Sequence, residues 1–155
     1  MMSKSEREFH RKIAIRCFNE TWDYLETKTR TKRDDQRMIL LAHASRFHWG
    51  LVGTPRNKAV GDWQISRVYA ALKQPHLSLL FANSSLETCR NERLPEVMVT
   101  AYEAVARAYA VAEKYASADK YLRLARNQLE TLDLAAKDRR VYLGQINETE
   151  MLVTR

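Results

Sequence analysis

The sequence predicts an all-α chain of about seven helices, paired as antiparallel hairpins and stacked side by side. Three observations carry that expectation. No stretch alternates apolar and polar residues as a half-buried strand does, whereas residues 38–49, 63–72, 77–86 and 97–112 read as helical. Glycine and proline are scarce, with four and three copies, and Pro55, Pro75 and Pro95 each stand where a helix can begin, because a first-turn residue needs no amide proton. With 155 residues and 45% hydrophobic content, the chain can bury one core of ordinary size.

Taken in order, the helices are predicted near 4–27, 33–51, 56–73, 76–89, 95–113, 117–133 and 136–147, with the last few residues frayed. Gly50 and Gly53 permit the second helix to end, Thr54 can cap the third, and Pro55 fits its first turn. Ser117 is placed to cap the sixth helix. The Val141-Tyr142-Leu143 cluster gives the last helix an apolar face that can cover the end of the stack. The expected organisation is one helical domain over 1–155: an N-terminal pair (1–54), two hairpins (55–133), and a capping helix with its tail (134–155).

The most informative stretch is residues 102–125. Tyr102, Val105, Ala106 and Tyr109 fall on one helical face, and Tyr115, Ala118, Leu122 and Ala125 fall on another. Small side chains at Ala106 and Ala118 let two helix axes approach closely. This order of positions resembles the tetratricopeptide repeat, with Glu130 standing where the family often has proline. A weaker copy lies 40 residues upstream, carried by Ile65, Ser66, Tyr69, Ser78, Ala82 and Ser85, with Trp63 displaced by one position from the expected aromatic. That spacing exceeds the family's usual period by about six residues, which residues 91–95 are expected to absorb as a longer connection. A fragment of a third copy is carried by Ala44, His48 and Leu51.

The resemblance implies a short right-handed superhelix and a non-enzymatic module that binds a protein or peptide on its concave face. Carried over by register, the groove positions are Trp63, Arg67 and Ala71 from the weaker copy and Thr100, Glu103, Arg107 and Val111 from the stronger. Arg67 and Arg107 then occupy equivalent positions, and two guanidinium groups facing one groove can clamp a carboxylate or phosphate. Trp63 adds a flat apolar wall. The competing expectation is that Glu103 pairs with Arg107 one helical turn later and merely decorates a solvated face. Self-association is a further use of the same surface, since aromatic residues and arginine favour interface cores.

A second candidate pocket is the passage holding His43, His48 and Trp49, which would suit a small-molecule sensor or a small enzyme. His43 and His48 are five apart, roughly 140° around a helix, so a shared metal is not expected. His43 and Ser45 point apart on one helix, so no catalytic residue is assigned. His48 and Trp49 are expected to pack at a corner. The passage resembles one in small, uncharacterised bacterial helical proteins, a likeness that brings no activity with it.

Cys17 and Cys89 form no paired motif, which disfavours a disulfide framework or a thiolate metal site and fits a reducing, cytoplasmic setting. No cofactor motif and no membrane-spanning run is present. The net charge of +7 is concentrated at the front: residues 1–60 carry 13 basic and 7 acidic groups, residues 61–155 carry 13 and 12. Lys28, Arg30, Lys32, Arg33 and Arg37 form the densest cluster, yet Asp34 and Asp35 interrupt it. Nucleic acid is therefore the less favoured partner, and a solvated helix connection the simpler reading.

Overall fold

The computed structural model describes residues 1–154, which form seven helices among the described residues: α1 (Lys4–Glu26), α2 (Lys32–Val52), α3 (Pro55–Ala71), α4 (Pro75–Asn91), α5 (Pro95–Val111), α6 (Tyr115–Glu130) and α7 (Ala136–Val153). Local chemistry sets most of the starts. Ser3, Thr31 and Thr54 each accept a hydrogen bond from the amide three residues on, and Glu6, Asp34 and Asn57 each accept one from the cap residue's backbone N–H. Pro55, Pro75 and Pro95 open their helices as first residues. Two expectations need correction here. Ser117 lies inside α6, which begins at Tyr115 with no side-chain cap, and α7 continues to Val153 instead of ending near residue 147; Arg155 lies outside the described residues.

The connections after α3, α4 and α5 repeat one device. Lys73, Arg93 and Glu113 have φ of 55°, 53° and 60°, the left-handed conformation usually left to glycine. At the first and third of these turns that residue donates to the carbonyl three back, Lys73 to Ala70 and Glu113 to Ala110. At all three the next residue reaches the carbonyl five back: Gln74 to Tyr69, Leu94 to Cys89 and Lys114 to Tyr109. Helices α3, α4 and α5 are each 17 residues long, so the extra length of the 40-residue period lies in the helices. The expected long connection at 91–95 is a correction of the same kind: Glu92, Arg93 and Leu94 make a turn no longer than its neighbours.

Consecutive helices pack against one another along the whole chain. In addition α1 packs along α3, α3 along α5 and α5 along α7, while among the described residues the backbones of α2, α4 and α6 stay apart from one another and α2 meets α4 only through side chains such as His43 on Phe81. The odd-numbered helices therefore form an inner, concave layer and the even-numbered helices splay on the outside. Close approach within hairpins follows from small residues: Ala106 and Ala118 are fully buried, and at the equivalent place Ser66 Oγ donates to Ser78 O at 2.8 Å while Ser78 Oγ donates to Ser66 O at 2.9 Å. The serine hydroxyls satisfy themselves on the facing backbone, so the short contact leaves no orphaned polar group.

Helix α5 sits at the centre. Its Val97, Ala101, Ala104 and Val105 join Ala59, Trp63, Ala82, Leu86 and Cys89 in one apolar cluster, with Phe18 and Trp22 of α1 packed against it. Val99 and Ala106 on the same helix join Leu122, Ala125, Leu129 and Ile146 in a second, which Tyr142 and Leu143 of α7 help to cover while Val141 remains exposed. Met38 and Ala42 of α2 meet Ile65 and Val68 of α3 in a third. Cys17 and Cys89 are free and buried, and burial pushes the Cys89 thiol up to about 11. Among the described residues no helix is long and apolar enough to cross a membrane.

The strained connectors give a direct test. Lys73→Gly, Arg93→Gly and Glu113→Gly are each expected to raise the unfolding free energy by up to about 1 kcal/mol in urea denaturation, because glycine adopts this backbone without a side-chain clash. A loss of stability at any one of them would mean that its side chain contributes more than the strain it carries.

Candidate functional site

Glu103 is the centre of the inner layer. Its side chain is 0% exposed, yet helix periodicity puts Arg107 one turn further along the same face, and the 40-residue repeat puts Trp63 at the equivalent position of α3. Arg107 Nε donates to Glu103 Oε1 at 2.9 Å, Trp63 Nε1 donates to Oε2 at 3.4 Å, and Thr149 Oγ1 of α7 donates to Oε1 in a very short hydrogen bond. One carboxylate thus ties α3, α5 and α7 together. Burial pushes its pKa up, but the charges of Arg107 and Arg67 and the hydrogen bonds from Thr149 and Arg107 outweigh burial and hold it below the usual carboxylate range.

Arg67 and Arg107 are both 14% exposed, and they converge on one atom: Arg67 Nη2 and Arg107 Nη2 donate to Glu148 Oε2 at 3.1 and 3.3 Å. The Arg67 guanidinium also lies over the rings of Trp22 and Trp63, 5.3 and 5.8 Å from their centroids. Burial and the nearby charge of Arg107 lower its pKa. Its Nη1 is buried and has no hydrogen-bond partner among the described residues, a donor left unsatisfied beside two indoles. Glu148 itself is 59% exposed.

These groups open into a cleft of about 740 Å³ between α1, α3, α5 and α7. Trp22, Leu25, Ala70, Ala71, Val111 and Leu152 supply its apolar lining, and Arg67, Arg107 and Glu148 its polar floor. Lys73 and Glu113, the two left-handed connector residues on this side, stand at its mouth with Glu26 and Tyr115. Of the residues anticipated from sequence, Arg67, Arg107, Val111 and Ala71 line this cleft, while Trp63 and Glu103 lie behind it, bonded to one another. The Glu103–Arg107 pair does form on one helix, but it is buried and does not decorate a solvated face. Thr100 faces the backbone, donating to Val97 O at 2.8 Å.

His43, His48 and Trp49 are not brought together. His43 Nε2 lies 3.0 Å from Tyr69 Oη, with its ring edge against Phe81. His48 turns instead to α1, where its Nδ1 is 2.7 Å from His10 Nδ1, so one ring donates and the other accepts. Trp49 lines a third place, a cleft of about 280 Å³ with Ile15, Phe18, Asn19, Arg56, Asn57 and Val60. Ser45 donates to Ala14 O at 2.8 Å and has no imidazole partner. Burial lowers the pKa of both His43 and His48, and the charge of His10 lowers that of His48 further. Among the described residues no group of three or more His, Cys, Asp or Glu is placed to hold a metal ion.

In the basic turn, Arg30 is committed to structure, with Nε 2.7 Å from Asp35 Oδ1 and Nη1 donating to the carbonyls of Tyr24 and Thr27. Arg33 and Arg37 share a surface cleft with Glu20, Asp23 and Asp34, which dilutes their field.

Three participants escaped sequence reasoning. Glu148 and Thr149 lie just beyond the predicted end of the last helix; continuing the three-and-four spacing from Tyr142 and Ile146 would have put Thr149 on the packed side, but not Glu148. Trp22 belongs to α1, where no first-helix repeat pattern was found. No protein-family model, no curated protein and no solved structure matches this chain.

Replacing Glu103 by Gln is expected to lower stability by about 3 kcal/mol in chemical denaturation, since Arg107 and Arg67 lose their buried countercharge. Acidification is expected to act in two windows. His43 and His48 titrate below their ordinary 6.5 when folded, so stability falls as pH drops through and below 6.5; Glu103, held below 4.5, adds a second fall under that value. His48→Gln should flatten the first window, and melting temperature against pH measures both.

Proposed function

We propose that this chain is a non-enzymatic, tetratricopeptide-like interaction module whose concave face binds a peptide or partner protein through an acidic group. The supporting frame is a pair of hairpins in a 40-residue period with small residues at the helix crossings, stacked so that odd-numbered helices line the inner face. The observation that carries the binding reading is Arg67: a nearly buried guanidinium, flanked by two indoles, with one nitrogen lacking an acceptor at the floor of a cleft of about 740 Å³. A carboxylate or phosphate entering the cleft meets the Nη2 groups of Arg67 and Arg107 that face Glu148, and a charge-assisted hydrogen bond there is stronger than a neutral one. The apolar walls, Trp22, Ala70, Ala71, Val111 and Leu152, suit short aliphatic side chains next to the acid.

The reading that places a sensor or enzyme pocket at His43, His48 and Trp49 has less support, because those side chains serve three separate environments.

The test is a fluorescein-labelled Leu-Glu-Leu-Glu peptide titrated against the full chain, with a Leu-Gln-Leu-Gln amide as control. Arg67→Met keeps an unbranched stem between the indoles and removes the charge. Selective binding of the acidic peptide, weakened about tenfold or more in a variant that retains its circular dichroism, is the expected result. Equal affinity in wild type and variant would remove the cleft from recognition.

A further inference from the structure

The carboxylate of Glu148 occupies the place where the two arginines meet. Both Arg67 Nη2 and Arg107 Nη2 donate to the same oxygen, Oε2, while Oε1 receives no hydrogen bond among the described residues. A ligand carboxylate in this cleft would be drawn to the same pair of donors. Glu148 therefore has the chemistry of a ligand group, delivered by the chain itself from α7.

Its hold is of a kind that can be exchanged. Glu148 is 59% exposed, so its swing into water regains hydration and gives up only two ion pairs that are already wet on the carboxylate side. It leaves the buried Nη1 of Arg67 unsatisfied. An incoming carboxylate can use both its oxygens, one toward Nη2 of Arg67 and one toward Nη2 of Arg107, where Glu148 brings only Oε2 to both. The anchoring of α7 does not depend on Glu148, because Ile146 is fully buried, Thr149 is bonded to Glu103, and Glu150 is paired with Arg126 at 2.8 Å. Release of this one side chain can thus occur with the helix in place.

We propose that Glu148 is a built-in competitor for the two-arginine site, so that α7 keeps the cleft occupied until an acidic ligand displaces its carboxylate. This rests on the cleft's reading as an acid-binding site and adds the regulation of that site. It predicts that the wild-type chain binds acidic ligands below its intrinsic capacity, by a factor set by the Glu148 contacts.

The experiment compares wild type, Glu148→Gln and Glu150→Gln with the same Leu-Glu-Leu-Glu probe. Glutamine keeps the size and helix propensity of the side chain and removes its charge. Glu148→Gln is expected to tighten binding about three- to tenfold, the effect of losing two partly exposed ion pairs, and Glu150→Gln to leave affinity unchanged. Binding that depends on Arg67 but is no tighter in Glu148→Gln overturns the competitor while leaving the recognition reading intact. Failure of both wild type and Glu148→Gln to bind the probe at millimolar concentration overturns both. Binding by Glu148→Gln alone supports the competitor in its strongest form.

Discussion

A fully buried carboxylate must be neutralised where it stands, and the inner layer of this protein is organised around that requirement. Taking an unpaired charge out of water costs far more than any single helix contact returns. Glu103 meets the condition with donors from three helices, Trp63 of α3, Arg107 of α5 and Thr149 of α7. These bonds fix the relative depth of helices whose apolar contacts alone would tolerate sliding. Arg107 is held in turn, so its second nitrogen is aimed at the same point as Arg67. The geometry of the cleft floor is thus inherited from a charge that never reaches it.

The repeat around that charge is regular in backbone and irregular in chemistry. Three consecutive turns use the same left-handed residue and the same reach from the next amide to the carbonyl five back, with lysine, arginine and glutamate in the demanding position. The hairpin crossings are equally regular, although serine fills them in one repeat and alanine in the next. Where the second repeat packs Tyr102, the first has Asp62, which accepts from Arg46 Nε at 2.8 Å and from Ser84 Oγ at 2.9 Å. An aromatic contact and a buried polar network hold equivalent places.

That difference explains what the amino-acid sequence made legible. Helix number, the proline starts and the Thr54 cap follow from local rules, each readable within a few residues. The register of Arg67 against Arg107 was readable as well, because it depends only on a period. Ser117 misled since a capping residue type says nothing when the turn before it is closed by Glu113 and Lys114. Glu148 was invisible for a different reason: its role depends on how α7 lies across α5, a tertiary fact with no local signature. The five-residue spacing of His43 and His48 was informative too, since it places them on different sides of α2 and they meet different neighbours, Tyr69 and His10.

The connectors have one more effect. Keeping a lysine at residue 73 and a glutamate at residue 113, where glycine would relax the backbone, leaves a positive group at the turn after α3 and a negative one at the turn after α5, both at the mouth of the cleft. With Glu26 at the end of α1 on the same rim, the entrance carries negative, positive and negative groups in the order in which the helices are stacked. An extended chain laid across it is matched best when its own charges alternate in the opposite sense, so charge spacing along the chain becomes a criterion of fit.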